Sequence, residues 1–423
     1  MPAEDRIRHG RAVDAVSILG GPAMRGPLQD LLRSRGLSLE HWEHLRTHHR
    51  PGGAVSALYR VRCSRRQTRS APAGTAPEAS LTLHLGATTV DAPWDAPAAP
   101  AGFESAAARI AGLDLHLWFH PHDPVLQSLP WATDADAVAR DVFGAAGPAR
   151  LSLAAYRPLR RAVVRAQHSG QAAYLKLLPP AQMPALYRRH RLLEGSGVPA
   201  PQLMPGIGAP ARDAAVLGAL PGTSLFRLLV DDGAAPVRPE VLLELLDALP
   251  AGALDLPLRR PWAERTADYA AAAAAAVPAE RNGIFELARG IRDIAASAPT
   301  GPLVPVHGDF HEGNLLLSGG AVTGLLDVDG LGPGHRVDDL ACLLGHLAVL
   351  AAANPSRPQL ARAFAGYRQV FEGAVDPSAL NARAAGVVLT LVSGARAGRG
   401  MSRIQNAGIR LDAARQLLRA AGH

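Results

Sequence analysis

Lysine is almost missing from this chain. Of 44 cationic residues a single one, Lys176, is lysine and the rest are arginines. A composition that supplies arginine wherever any positive charge will do marks a lone lysine as a place needing a compact ammonium; a leftover surface lysine is the alternative. Cysteine is nearly as scarce. Cys63 and Cys342 cannot build a disulfide framework or a cysteine-based zinc site, and read as free thiols of a reducing compartment. Aromatic residues make up 4%, so the core must rest on Ala, Val and Leu. No apolar run reaches the roughly 18 residues that a membrane span requires. The longest, Leu343 to Ala353, is interrupted by His346. Met1 to Arg11 carries charge and no apolar stretch, which argues against a secretory leader. The expected setting is cytoplasmic and off the membrane.

The net charge of +7 raises the question of a nucleic-acid partner. Its distribution argues against one. Residues 221–423 carry 19 cations against 20 carboxylates, so the excess lies in the first half. There it is spread as single arginines and short pairs, without interleaved aromatics.

Two stretches read as linkers or surface loops: polar Ser64 to Glu78, and Asp91 to Phe103 with its Ala-Pro repeats. Strands are expected at Ala54 to Val61, Leu81 to Leu85 and Leu113 to Phe119. Stronger strand signals follow at Leu151 to Ala155, Ala162 to Gln167 and Gln171 to Leu178, joined by tight turns. A helix is expected at Pro184 to Glu194 and a further strand at Ala214 to Leu220. Beyond Pro221-Gly222 the periodicity is helical, over about 238–249, 262–277, 283–297, 338–352, 358–372, 378–395 and 405–421. Strands first and helices afterwards predict a sheet lobe joined to a helical lobe. A faint echo runs through the first half. Arg50-Pro51 precedes Ala54-Val55 as Arg157-Pro158 precedes Ala162-Val163, and His84 falls where Lys176 falls in the second copy. Chance similarity between two biased segments is the competing explanation.

The segment richest in chemistry runs from Val306 through His307, Gly308, Asp309, Phe310, His311, Glu312, Gly313 and Asn314 into Leu315 to Leu317. It then continues as Val322 to Gly330, with Asp327 and Asp329 near its end. Two short apolar runs around Ser318-Gly319-Gly320 predict a hairpin. Such a hairpin sets Asn314 and Asp327 at neighbouring strand ends, with Asp309 on the loop beside them. Oxygen ligands on a rigid hairpin suit Mg²⁺, and a further carboxylate at the rim can accept a hydroxyl proton.

These residues resemble the catalytic loop of the aminoglycoside phosphotransferases and their choline-kinase and sugar-kinase relatives, with its H-G-D-x-H-x-x-N pattern. The resemblance implies Asp309 as catalytic base and Asn314 and Asp327 as Mg²⁺ ligands. Gly334 to Ala341 resembles the run that follows, where Asp339 would be structural and cap its helix. Upstream, Tyr174 to Leu178 resembles the strand whose lysine holds nucleotide phosphates, and there the single Lys176 falls. Gly197 to Pro201 and Val216 to Leu225 resemble the turn and hinge of the same family, which implies adenine against the backbone of Gly218, Ala219 and Leu220. The match extends over about 151–420.

The implied fold class is α+β: a bilobal protein-kinase-like fold, with a small antiparallel sheet lobe, a large helical lobe and an extra N-terminal α/β module. Expected boundaries are 1–150 for that module, 151–220 for the sheet lobe and hinge, and 221–423 for the helical lobe. The implied activity is ATP- and Mg²⁺-dependent transfer of the γ-phosphate to a hydroxyl of a small molecule such as a sugar, an antibiotic or an amino-alcohol. The acceptor is expected against 338–420, whose Arg396, Arg399, Arg403 and Arg410 suit a neutral or anionic polyol better than a polycation.

Three departures stand out. Pro184 to Leu193 contains no acid to play the family's helix glutamate toward Lys176. The loop over the phosphates, usually Gly- or Ser-rich, is Tyr156 to Arg161, where Arg160 and Arg161 either hold phosphate or are simply solvated. Val328 replaces an aromatic after Asp327. They leave open a kinase-shaped nucleotide-binding or regulatory protein. A protein-substrate kinase is disfavoured, since a helix opens at Asp339 with no long activation segment before it. The remaining histidines, His116, His120 and His122 and the pair His48-His49, have no ligand spacing that demands a metal. Asp329 is read as surface, with a water-mediated metal contact as the alternative. His307 and His311 are expected to brace the loop.

Overall fold

The computed structural model describes residues 15–48, 54–65, 80–89, 106–110, 112–204, 213–398 and 400–422. The predicted loops at Ser64 to Glu78 (beyond its first two residues) and Asp91 to Phe103, together with His49 and Arg399, lie outside them. The chain divides into two compact units. The first takes Met1–Met183 and Met204–Gly218, the second Pro184–Leu203 and Ala219–His423.

Two antiparallel sheets make up most of the first unit. The earlier one holds β1 (Leu37–His48), β2 (Ser56–Arg65), β3 (Leu81–Thr89), β4 (Ala106–Ile110) and β5 (Leu113–Phe119), in the order β1-β2-β3-β5-β4. The helix Arg25–Arg33 buries Leu28, Leu31 and Leu32, and these join Tyr59, Val61, Leu85 and Leu117 in one core. β1 and β4 escaped the sequence reading. Bulges between Leu39 and His41 and between His44 and Arg46 break the alternation of β1, and β4 is mostly alanine.

The later sheet is a plain meander of β6 (Arg150–Arg157), β7 (Arg161–His168), β8 (Gln171–Leu177) and β9 (Ala214–Gly218). Ser169 and Gly170 both take positive φ, the two-residue turn that matches the twist of β7 and β8. Each strand lies within a few residues of its predicted place. β2 pairs with β3 as β7 pairs with β8, but His84 faces Arg60 whereas Lys176 faces Val163, so the echo does not extend to the register; Arg50-Pro51 lies outside the described residues.

A buried carboxylate fixes the turn between β6 and β7. Asp123 Oδ2 accepts from the Tyr156 hydroxyl at 2.9 Å and from the Leu159 amide at 2.8 Å, while Oδ1 accepts from the amides of Val125 and Leu126. Leu159 stands at φ +63°, a strained conformation for a branched side chain. Burial raises the Asp123 carboxyl, against the pull of its four donors. Asp123→Ala leaves several buried donors unsatisfied, so a urea titration should show a loss on the order of 3 kcal/mol. A loss near zero would mean that the turn holds without it.

The second unit is mainly helical, and its core gathers side chains from the helices Leu225–Asp232, Glu240–Asp247, Thr266–Ala276, Arg281–Ser297, Arg336–Ala352, Pro358–Ala374, Pro377–Val392 and Arg403–Ala421. Seven of these match predicted helices; Leu225–Asp232, capped by Ser224, was not anticipated. Set into this unit are the two-stranded pair β11 (Leu303–Val306) and β14 (Gly332–His335), and β10 (Thr223–Ser224) beside the hairpin β12 (Leu315–Ser318) and β13 (Ala321–Leu325). Among the described residues no helix is long and apolar enough to cross a membrane.

Candidate active site

The hairpin predicted around Ser318-Gly319-Gly320 is present, with Gly319 and Gly320 at positive φ and Leu315 paired to Leu325. Just before it, the loop from His307 to Asn314 is held at several points. Asp339 takes the amides of His307 at 2.6 Å and Gly308 at 2.8 Å, one on each carboxylate oxygen. This corrects one expectation. The helix there begins at Arg336 with His335 as its N-cap, so Asp339 lies in the first turn and grips the loop instead of capping. Burial pushes the Asp339 carboxyl up to about 7, opposed by those two N–H donors.

His307 is fully buried, and burial lowers it while the Asp309 charge works the other way. A neutral ring fits its bonds. Nδ1 accepts from the Asp309 amide at 3.3 Å, which leaves Nε2–H to donate to Leu326 O at 2.9 Å. The imidazole thereby links the loop to the residue before Asp327. Two glycines let the backbones approach. Gly308 stands at φ +80°, and a Cβ there would lie 2.7 Å from the Gly330 carbonyl oxygen.

Asn314 donates Nδ2 to the Asp309 carbonyl at 2.9 Å, while the Leu326 amide donates to Asn314 O at 2.8 Å. Asp309, Asn314 and Asp327 are thus brought together by the Asn314 side-chain amide and by backbone bonds. Asp327 adopts φ +55°, a left-handed conformation that Asp tolerates better than most residues. An amide oxygen and a carboxylate are the hard donors that Mg²⁺ takes, so the residues present fit that ion.

The profile of the phosphotransferase enzyme family matches residues 158–375, just over half of the chain. The chain belongs to that family. Its fold is accordingly the α+β, bilobal kinase-like one, preceded here by the additional five-stranded sheet. Solved structures with a similar fold include a thermostable mutant of aminoglycoside phosphotransferase APH(4)-Ia in complex with ADP and hygromycin B. It is 15% identical, covering 67% of this chain and 98% of that one, with TM-score 0.47. An aminoglycoside-3'-phosphotransferase of type VIII is 25% identical, with 60% and 97% covered and TM-score 0.40. Plasmodium vivax ethanolamine kinase is 12% identical, with 64% and 84% covered and TM-score 0.42. Among curated proteins nothing matches significantly.

The other residues singled out from the sequence lie as follows. Lys176 is 6% exposed on β8, opposite Val163 of β7 and Ala215 of β9. Arg160 closes the turn before β7, its amide bonded to Arg157 O, and Arg161 opens that strand. Gly218 ends β9, while Ala219 and Leu220 run outside any strand and remain partly exposed. His120 packs against the Tyr156 ring and near His84. Cys63 and Cys342 are both free and buried.

Two groups near the loop were not anticipated. The helix Met183–Leu193, which lacks an acid, buries Arg189 instead, and its Nε donates to Leu331 O at 2.9 Å with the charge of Asp329 nearby. Arg259 donates to the Asp329 carbonyl. Both arginines clamp the stretch after Asp327, a role no local sequence signal announces. Beside His311, Glu312 is buried with Oε2 3.2 Å from His346 Nδ1 and 3.8 Å from His311 Nδ1. Burial raises Glu312 but His346 outweighs it and holds it low; burial lowers His346 but Glu312 holds it high. Each partner thus favours the charged form of the other. The His311 and His346 rings stack at 4.6 Å and 12°. This is the group of three that could hold a metal among the described residues. Near-parallel rings direct their lone pairs side by side, and the Gly313 amide occupies His311 Nδ1. A carboxylate–imidazole pair with a second imidazole stacked on it describes the group better than a metal site.

Proposed function

We propose that the chain is an ATP- and Mg²⁺-dependent kinase that transfers the γ-phosphate to a hydroxyl of a small molecule. The observation that carries this reading is the loop brace: Asp339 and His307 fix the backbone that presents Asp309 beside Asn314 and Asp327. In this reading Asp309 orients the acceptor hydroxyl and accepts its proton. Asn314 and Asp327 hold Mg²⁺, which when bound neutralises phosphate charge. Lys176 offers its ammonium to the α- and β-phosphates, Arg160 and Arg161 add positive charge there, and the backbone of Gly218 to Leu220 meets adenine. Catalysis then rests on positioning and on fixed charges. Two free thiols and a nucleotide substrate suit a cytoplasmic enzyme. The acceptor class is a sugar, an antibiotic or an amino-alcohol.

A second reading has an observation of its own. Arg189 occupies the helix from which the family's glutamate would come, so a nucleotide-binding protein with little transfer activity is the competing proposal. Incubation with ATP labelled at the γ-phosphate and pooled hydroxyl compounds separates the two. A labelled product from the wild type, absent with Asp309→Asn, supports the kinase. Nucleotide binding without any product supports the regulator.

A further inference from the structure

Asp327 stands at φ +55°, and a residue strained in this way persists only where its neighbours over-determine the backbone. The anchors before it belong to the catalytic loop. Leu326 O accepts from His307 Nε2 at 2.9 Å, and the Leu326 amide donates to Asn314 O at 2.8 Å. The short turn Val328–Gly330 follows, closed by the Leu331 amide on Val328 O at 3.0 Å. It lies against the same loop, since a Cβ on Gly330 would come within 2.4 Å of His307 O.

Two arginines hold the far side of this turn. Arg189 donates Nε to Leu331 O at 2.9 Å, and Arg259 donates Nη1 to Asp329 O at 2.9 Å. Arg189 comes from the helix Met183–Leu193, which from Pro184 onward belongs to the same compact unit as the catalytic loop. It is 7% exposed and Leu331 is fully buried, while its Nη1 bonds Ala185 O of its own helix at 3.1 Å. A buried guanidinium is costly, and the bonds of this one tie its helix to the turn through backbone carbonyls. Mg²⁺ demands a near-ideal octahedron, so a carboxylate moved slightly off position serves it poorly. Groups that orient the ligands therefore matter nearly as much as the ligands.

We propose that Arg189 is a positioning residue for the metal site: its bond to Leu331 O, aided by Arg259 on Asp329 O, keeps Asp327 in the left-handed conformation that serves Mg²⁺. The helix that carries no acid toward Lys176 thereby acts on the metal ligand instead. This rests on the kinase reading for the role of Asp327, whereas the hold on the turn stands on the hydrogen bonds themselves.

The test pairs two measurements on the full chain: calorimetric titration with a non-hydrolysable ATP analogue, with and without Mg²⁺, and hydrogen exchange of the nucleotide-free protein. Arg189→Met keeps the apolar stem and removes the donors. It should bind the analogue about tenfold more weakly with Mg²⁺ and equally well without it. Arg189→Lys, which can still donate one bond, should recover part of the loss. Exchange across 326–331 should rise in Arg189→Met, and exchange in the helix Pro377–Val392 should not. Arg188→Gln, at the exposed neighbour bonded to Asp255 O, should match the wild type throughout. Three results would overturn the proposal: Mg²⁺-dependent affinity equal to the wild type, an equal loss with and without Mg²⁺, or unchanged exchange across 326–331. If Arg189→Met does not fold, Arg259→Gln decides, because it removes an exposed donor to the same turn. A loss confined to the Mg²⁺ titration then supports the proposal, and no loss overturns it. A wild type that binds no nucleotide strikes the kinase reading and the metal role with it, and exchange alone then decides whether Arg189 holds the turn.

Discussion

Asp309→Asn should slow phosphoryl transfer by about 10³-fold, within the range a positioned base supplies, while nucleotide affinity changes little. The substitution keeps shape and removes the charge that takes the hydroxyl proton. It should not disturb the loop, because the neighbouring bonds use backbone atoms: Asn314 binds the carbonyl of Asp309, and His307 receives its amide. Asp339 holds the preceding two residues independently. Initial rates with a saturating acceptor, set beside calorimetric binding of an ATP analogue, separate the two effects. Equal turnover in the wild type and the variant would remove Asp309 from the role of base.

Asp327→Asn should act on binding instead. It should weaken the Mg²⁺-dependent part of nucleotide affinity by about tenfold or more, the loss of one charge-assisted contact. Asparagine is the informative replacement. Asp327 lies at φ +55°, where Asn is also tolerated, so the backbone is preserved while a formal charge leaves the metal site. Asp327→Ala removes the ligand and adds backbone strain, and should bind more weakly still. If affinity without Mg²⁺ fell equally in both variants, a general distortion would explain the result, and Asp327 would not be a metal ligand.

Much of this site was legible because its chemistry is local in sequence. Asp309, Asn314 and Asp327 belong to one loop and one hairpin, and the glycines that allow the turn are neighbours of the residues it positions. Helix periodicity likewise placed most elements of the second unit within a few residues. What stayed hidden depends on partners distant along the chain. Asp339 reads as a cap until its carboxylate is seen on the His307 and Gly308 amides. Arg189 and Arg259 converge on the stretch after Asp327 from separate segments, and Glu312 and His346 meet only in the fold. The sequence shows that the helix Met183–Leu193 has no acid, but not that a buried arginine serves another purpose there. β1 was missed for a different reason, since its two bulges shift the phase of an otherwise readable alternation.

The most direct test is titration of the purified chain with a non-hydrolysable ATP analogue, with and without Mg²⁺, for the wild type, Asp327→Ala and Lys176→Ala. The account predicts binding that requires Mg²⁺ in the wild type and is lost or greatly weakened in both variants. A wild type that binds no nucleotide under either condition would contradict it.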